Sequence, residues 1–231
     1  RQILRQLPKD EATAGQIREL YDSEIRRVDA HLEMLWKELK LGDDALLLVS
    51  SDHGEEFLEH GDWDHAKTLY QEVVRVPMMV SWPGRLETRT IDAPVSLLDV
   101  QPTLLELIGQ PVPTGLHGHS LVPLLHGTTL PARPLYFELY RPTQYLKTAI
   151  LDGKWKLLLE DSKTPRTELY DLEQDPGERQ NLAEVHPGEV TRLRTLLEQG
   201  RQAMPEARAA STHVPSEQDL QQLKALGYVG D

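Results

Sequence analysis

The sequence predicts an α/β protein: part of a sheet flanked by helices, followed by a small antiparallel sheet with a helix packed on it. Three observations carry this. A long stretch of helical periodicity leads through a short loop into an unbroken apolar run, Leu46-Leu47-Leu48-Val49. That run stops at Ser50-Ser51-Asp52-His53-Gly54, a carboxylate and an imidazole followed by a residue that lets the backbone turn sharply. From about Leu135 the pattern changes to short strand-like runs broken by turn signals.

Glu11 to Lys40 reads as one helix. Ile17, Leu20, Tyr21, Ile25, Val28, Leu32, Leu35 and Leu39 recur at the spacing of a single buried stripe, with Arg18, Glu24, Arg27 and Lys37 on the other face. Leu41-Gly42-Asp43-Asp44 ends it, with Gly42 suited to the C-terminal cap. A strand over 45–50 follows. Its apolar continuity predicts burial on both faces. Helix then strand is half of a βαβ unit, so an earlier strand is expected before Arg1. In open α/β sheets ligands gather beyond the carboxyl ends of such strands, which is where Asp52 and His53 stand.

Residues 54–72 read as a functional loop and 76–82 as a second buried strand. Asp99 to Gly109 is a short helix with Pro102 in its first turn, where proline is tolerated. Pro111 to Pro134 is irregular surface. Leu135–Tyr140, Tyr145–Leu151, Lys154–Glu160 and Glu168–Leu172 are short strands, with Asp152-Gly153 a hairpin turn. A helix from Gly188 to Gln202 would pack on them through Val190, Leu193, Leu196 and Leu197. Residues 203–216 read as a linker, and Leu220, Leu223 and Leu226 mark a short amphipathic helix. The expected division is 1–133, 134–204 and 205–231.

The 231 residues suffice for one large core and a small appendage. No run approaches the roughly 18 apolar residues of a membrane span. A net charge of −12 argues against nucleic acid as a partner. It also means that an anionic substrate needs local positive charge or a metal ion. There are no cysteines, so no disulfide forms within this chain, and their absence says nothing about compartment.

A set of motifs in fixed order is more specific than any of these features. Ser51-Asp52-His53-Gly54-Glu55 is followed by His60-Gly61, by His65-Ala66-Lys67-Thr68-Leu69-Tyr70-Gln71-Glu72 and by Arg75-Val76-Pro77. Ser96-Leu97-Leu98-Asp99-Val100-Gln101-Pro102-Thr103-Leu104-Leu105, Gly118-His119-Ser120-Leu121-Val122-Pro123-Leu124-Leu125 and Glu168-Leu169-Tyr170-Asp171-Leu172 with Asp175-Pro176-Gly177-Glu178 and Asn181-Leu182 continue the series. Together they resemble the sulfatase family of the alkaline phosphatase superfamily.

The resemblance implies an alkaline-phosphatase/sulfatase-like sheet and a metal-dependent hydrolase of organic sulfate monoesters, on small molecules or carbohydrates. Asp52 and His53 would supply two metal ligands, Asp52 an oxygen suited to hard cations and His53 a nitrogen suited to softer ones. Ca²⁺ is the expected ion, with Mn²⁺ or Zn²⁺ the alternative. His65 and Lys67 lie where the family touches the sulfate or protonates the leaving oxygen. His65 comes first, since its pKa range suits general-acid work. For Lys67 the reading as a solvated loop lysine stays open. The departure is Ala66, where many relatives carry Gly. The resemblance also favours an extracytoplasmic setting, while the residues themselves leave localisation open.

Members of this type carry the nucleophile in a C-x-P-x-R or S-x-P-x-R motif well before S-D-H-G-E, with two acidic ligands near the start of the domain. Neither precedes Asp52 here. The chain is therefore expected to be the C-terminal half of the catalytic domain with the C-terminal subdomain. It would be inactive without the N-terminal half of the same enzyme. Ser81-Trp82-Pro83-Gly84-Arg85 matches S-x-P-x-R formally but ends a strand, and is read as coincidence. The alternatives are a phosphoryl or phosphonate ester hydrolase or a phosphoethanolamine transferase of the same superfamily, and a non-catalytic sulfatase-like binding module. The remaining polar residues have structural readings: His60 as a loop support, Glu55 and Glu56 as helix-start carboxylates, Arg75 as the partner of a buried carboxylate, and Asp171 and Asp175 as turn formers. His117 and His119 have a spacing that could clasp a metal, but no further ligands.

Overall fold

The computed structural model describes residues 7–42, 44–141, 144–203 and 216–225. Two compact units are present, one up to Leu197 and one from Glu198 on. No helix among the described residues is long and apolar enough to cross a membrane.

Helix α1 (Glu11–Glu38) starts at Asp10, whose side chain accepts the Thr13 amide at 2.8 Å. It ends two residues earlier than expected. Lys40 rather than Gly42 takes the left-handed conformation, at φ 51. Only the first part of its apolar stripe is covered. Ala14 is fully buried, and Tyr21 meets Phe57 edge-on with ring centroids 5.2 Å apart. Leu20, Ile25, Val28, Leu32, Leu35 and Leu39 remain exposed, contrary to the single buried stripe. The periodicity is helical, but nothing described lies against its later turns.

Strand β1 (Leu47–Ser50) delivers the Asp-His pair. Its neighbour, β4 (Met78–Ser81), runs antiparallel, with Leu47 opposite Ser81 and Ser50 opposite Met78. These two strands form a ladder of their own, and β1 is half-buried along its whole length. Burial on both faces is therefore not met: the faces of a strand are covered by elements packed above and below the sheet, and along β1 that cover is partial.

Between them the expected loop is more structured than its sequence suggests. β2 (Glu56–Phe57) pairs with β3 (Trp63–Asp64) in a short clasp. Leu58 at φ 73 and Gly61 at φ 88 turn the chain within it. α2 (Gln71–Val74) follows, and its Val73 carbonyl accepts the Gly54 amide at 2.8 Å. A Cβ at Gly54 would lie 2.1 Å from the Glu72 carbonyl oxygen, so this crossing admits only glycine.

The predicted helix near 99–109 is a 3₁₀ turn at Leu97–Asp99 continued by α3 (Val100–Leu107). Asp99 is fully buried and accepts from the Ser96 and His119 amides and from Arg133. A short helix, α4 (Val122–Leu125), stands in the otherwise irregular stretch before Pro134.

The antiparallel sheet is a four-stranded meander in sequence order: β5 (Leu135–Arg141), β6 (Tyr145–Asp152), β7 (Trp155–Asp161) and β8 (Arg166–Asp171). Gly153, at φ 59, makes the hairpin turn expected at Asp152-Gly153. Alternation divides its two faces. Ile150, Leu157 and Leu169 pack on Leu193 and Leu197 of α5 (Pro187–Ala203). Ala149, Leu158 and Tyr170 pack instead on Leu69 and Tyr70, at the end of the functional loop. The sheet thus supports that loop directly. The terminal helix is α6 (Glu217–Ala225); of the expected linker over 203–216, Ala203 instead ends α5, while 204–215 and Leu226 lie outside the described residues.

Candidate active site

Asp52 and His53 leave the end of β1 together. The Asp52 side chain is 79% exposed and its Oδ2 stands 3.7 Å from His53 Nε2. His53 Nδ1 lies 2.9 Å from the Gly54 carbonyl oxygen, an acceptor, so Nδ1 carries the proton. The Nε2 lone pair is thereby presented beside the Asp52 carboxylate. Two ligands of one ion, at bonds of about 2.1–2.4 Å, stand about 3–4 Å apart. The pair fits that requirement.

His65 joins them from the other side of the β2–β3 clasp. Its ring lies over His53 with centroids 3.9 Å apart and planes 33° apart. Its Nδ1 donates to Glu55 and lies 3.1 Å from Asp64 Oδ1. Glu55 thus leaves the role expected of it. No helix starts there, and His53, Glu55 and His65 bring ligand atoms within 4.8 Å of one another, all three half-buried. The two-residue spacing of His53 and Glu55 was a signal for this, since such residues share a face of an extended chain.

Lys67 has different partners. Its ammonium donates to the Trp63 carbonyl at 2.7 Å and pairs with Asp62 at 2.9 Å. Burial raises the Asp62 carboxyl, but Lys67, the Trp63 amide and Lys9 outweigh it and hold its pKa at about 2. Lys67 lines a groove of about 720 Å³ between the loop and the meander, with Lys147, Glu168 and Tyr170 on the opposite wall. It is therefore a paired lysine rather than a solvated one.

The loop is fastened from below. His60 places Nδ1 2.6 Å from Glu72 Oε1 and Nε2 2.9 Å from the Glu178 carbonyl, and its ring stacks on Tyr70 at 3.6 Å. Burial lowers the affinity of His60 for its proton, but these acceptors outweigh it and raise its pKa. The buried Glu56 accepts the His60 and Asp62 amides, so it too is a loop-former and not a helix-start carboxylate. Burial raises its pKa.

Arg75 is exposed and has no ion pair with a described residue, so the expected buried partner is not found. Asp171 ends β8, accepts the Glu173 and Gln174 amides and pairs with Lys154 at 2.6 Å, as a turn former does. Ser81 pairs with Leu47, three steps from the Ser50 rung and so about 10 Å further along the strand. His117 and His119 belong to no group of metal-ligating side chains among the described residues.

The chain matches the family described as "N-sulphoglucosamine sulphohydrolase, C-terminal" over residues 58–203 and that described as "Sulfatase" over residues 4–110. It is 30% identical to arylsulfatase K of Rattus norvegicus over 190 residues, 76% of this chain and 33% of that protein. It is 37% identical to choline-sulfatase of Rhizobium meliloti over 152 residues, 64% of this chain and 29% of that protein. It belongs to the sulfatase family. The chain spans about a third of the length of these relatives.

Solved structures agree on the fold. The phosphonate monoester hydrolase of Agrobacterium radiobacter is 26% identical, with a TM-score of 0.67 over 80% of this chain and 42% of that one. The phosphonate monoester hydrolase of Silicibacter pomeroyi, 24% identical, superposes with a TM-score of 0.71 over 90% of this chain and 45% of that one. A third, solved with its substrate D-glucosamine-2-N,6-O-disulfate, is 24% identical with a TM-score of 0.62 over 75% of this chain and 37% of that one.

Proposed function

We propose that this chain carries the C-terminal part of a metal-dependent sulfatase that hydrolyses organic sulfate monoesters, with 1–133 belonging to the catalytic domain, 134–204 to its antiparallel subdomain and 205–231 to a linker and short helix. The observation that carries the reading is the meeting of His53, Glu55 and His65 beside the exposed Asp52.

Asp52 and His53 would hold the ion, which we take as Ca²⁺. The grouping of two histidines with Glu55 supports Mn²⁺ or Zn²⁺ as a second reading, since imidazole suits those ions better. A bound divalent cation would stabilise charge on the sulfate oxygens. Glu55 holds Nδ1 of His65 and fixes its ring, so proton delivery to the leaving oxygen falls to Nε2. Lys67, held by Asp62, adds positive charge to the adjoining groove of a chain whose net charge is −12. The nucleophile and the remaining acidic ligands are assigned to a segment of the enzyme outside this chain.

A carbohydrate sulfate is the favoured substrate class, supported by the N-sulphoglucosamine sulphohydrolase match and by the sulfated glucosamine bound to a protein of the same fold. The likeness to a phosphonate monoester hydrolase supports a phosphonate ester as the second reading. The test is to assay the full-length protein that carries this chain on a sulfated sugar, an aryl sulfate and an aryl phosphonate, with and without a chelator. Chelator-sensitive turnover highest on the sulfates is expected. Highest turnover on the phosphonate selects the second reading, and none on any substrate indicates a non-catalytic binding module.

A further inference from the structure

His65 sits in a turn that its own residues do not favour. Asp64 before it has φ 78 and Ala66 after it φ 60, both left-handed and neither a glycine. Such a conformation costs an L-residue free energy and persists only where the surroundings over-determine it.

Asp64 pairs with Glu56 in the clasp, and at Ala66 the surroundings include two side chains of the distant meander. Arg141 and Tyr145 face each other as the last paired residues of the β5–β6 hairpin. Both converge on one acceptor, the Ala66 carbonyl. Arg141 donates to it from Nε at 3.3 Å and from Nη2 at 3.1 Å, and Tyr145 from its hydroxyl at 3.1 Å. A carbonyl oxygen has two lone pairs, so its hydrogen-bonding capacity is filled. The Tyr145 ring is itself held by Lys147, whose ammonium lies 4.9 Å from its centroid and pairs with Glu160 at 3.0 Å.

We infer that Arg141 and Tyr145 are positioning residues for the sulfatase reaction, clamping the Ala66 carbonyl so that the His65 ring stays over His53 with Nδ1 on Glu55. This rests on the reading of His65 as the proton donor. The clamp crosses about 75 residues of sequence and gives the antiparallel subdomain a role in catalysis besides packing.

The test compares Tyr145→Phe, Arg141→Met, their combination, the conservative Arg141→Lys, and His65→Ala, all in the full-length protein, on an alkyl and an aryl sulfate. Tyr145→Phe keeps the ring and its packing, so it guards against loss of fold. The combined variant should lower kcat on the alkyl sulfate about 10-fold or more, with KM within about twofold and a smaller loss on the aryl sulfate. Arg141→Lys, which retains a donor, should recover part of the loss. If His65→Ala is selective against the alkyl sulfate and the clamp variants are not, the inference falls and the reading of His65 stands. Equal losses on both substrates that track a lower thermal midpoint also overturn it, leaving a purely structural contact. If His65→Ala spares the alkyl sulfate, the reading of His65 falls and the inference with it.

Discussion

Lys156 Nζ lies 2.7 Å from Glu178 Oε1, and neither side chain keeps contact with solvent. Lys156 belongs to β7, whereas Glu178 follows β8 at φ 53 and accepts the Gln71 amide on its other oxygen at 2.5 Å. The pair therefore joins the meander to the start of α2, at the end of the functional loop. Burial disfavours both charged forms, lowering the pKa of Lys156 and raising that of Glu178.

Such a pair is costly to break and cheap to replace. Lys156→Met strands a buried carboxylate and should destabilise the protein by about 3–5 kcal/mol. Adding Glu178→Gln removes the stranded charge and keeps the acceptor for Gln71, so the double variant should regain much of the loss. Denaturant midpoints of the two variants check this, and a double variant no more stable than the single one contradicts it.

His60 predicts a pH dependence of stability. Its folded pKa is raised above the ordinary 6.5 by Glu72 and the Glu178 carbonyl, against the opposing effect of burial. The folded state thus binds the proton more tightly than the unfolded chain. The stabilisation is complete below about pH 6.5 and is lost as pH rises through the raised value. His60→Gln should flatten the thermal midpoint across this window, and an unchanged profile in that variant would refute the assignment.

Gly54 tests the geometry that presents the Asp-His pair. In Gly54→Ala the new Cβ meets the Glu72 carbonyl oxygen at 2.1 Å, and backbone cannot move aside as a side chain can. A loss of about 1–3 kcal/mol in stability and weaker divalent-cation binding are expected. Calorimetric titration of the metal and thermal melts measure both.

Asp52→Ala should remove metal binding, while Asp171→Ala should lower stability alone, since Asp171 is tied to Lys154 and two turn amides. Elemental analysis separates them. Full metal occupancy without Asp52 would reject its assignment as a ligand.

His65→Ala should slow alkyl sulfates by about 10²–10⁴-fold and activated aryl sulfates much less. Glu55→Gln should show the same selectivity at smaller size, and Lys67→Ala should act mainly on KM. Steady-state kinetics on both substrate types decides. Normal rates for His65→Ala with loss of activity in Lys67→Ala would reverse the order of the two residues.

Several features were legible because they are local. The α1 periodicity, the Asp152-Gly153 turn and the strand-end placement of Asp52 and His53 each lie within one window of chain. The residue before Lys67 was also informative. The family resemblance leads one to expect glycine at Ala66, and its φ of 60 is a conformation that glycine adopts freely. The β2–β3 clasp was not legible, since two residues per strand leave no periodicity to detect.

Sequence alone thus determined the longer elements and their order, and the family motifs in which Asp52, His53 and His65 stand. Only the tertiary structure decided which groups meet. It placed Glu55 on His65, turned Lys67 toward Asp62, and brought Arg141 and Tyr145 to Ala66 from the far end of a hairpin. It also left the apolar stripe of α1 and both faces of β1 less covered than their composition implied. The physical reason is the same in each case. Periodicity records which face of an element is apolar, whereas burial and side-chain pairing depend on what the rest of the chain brings against that face.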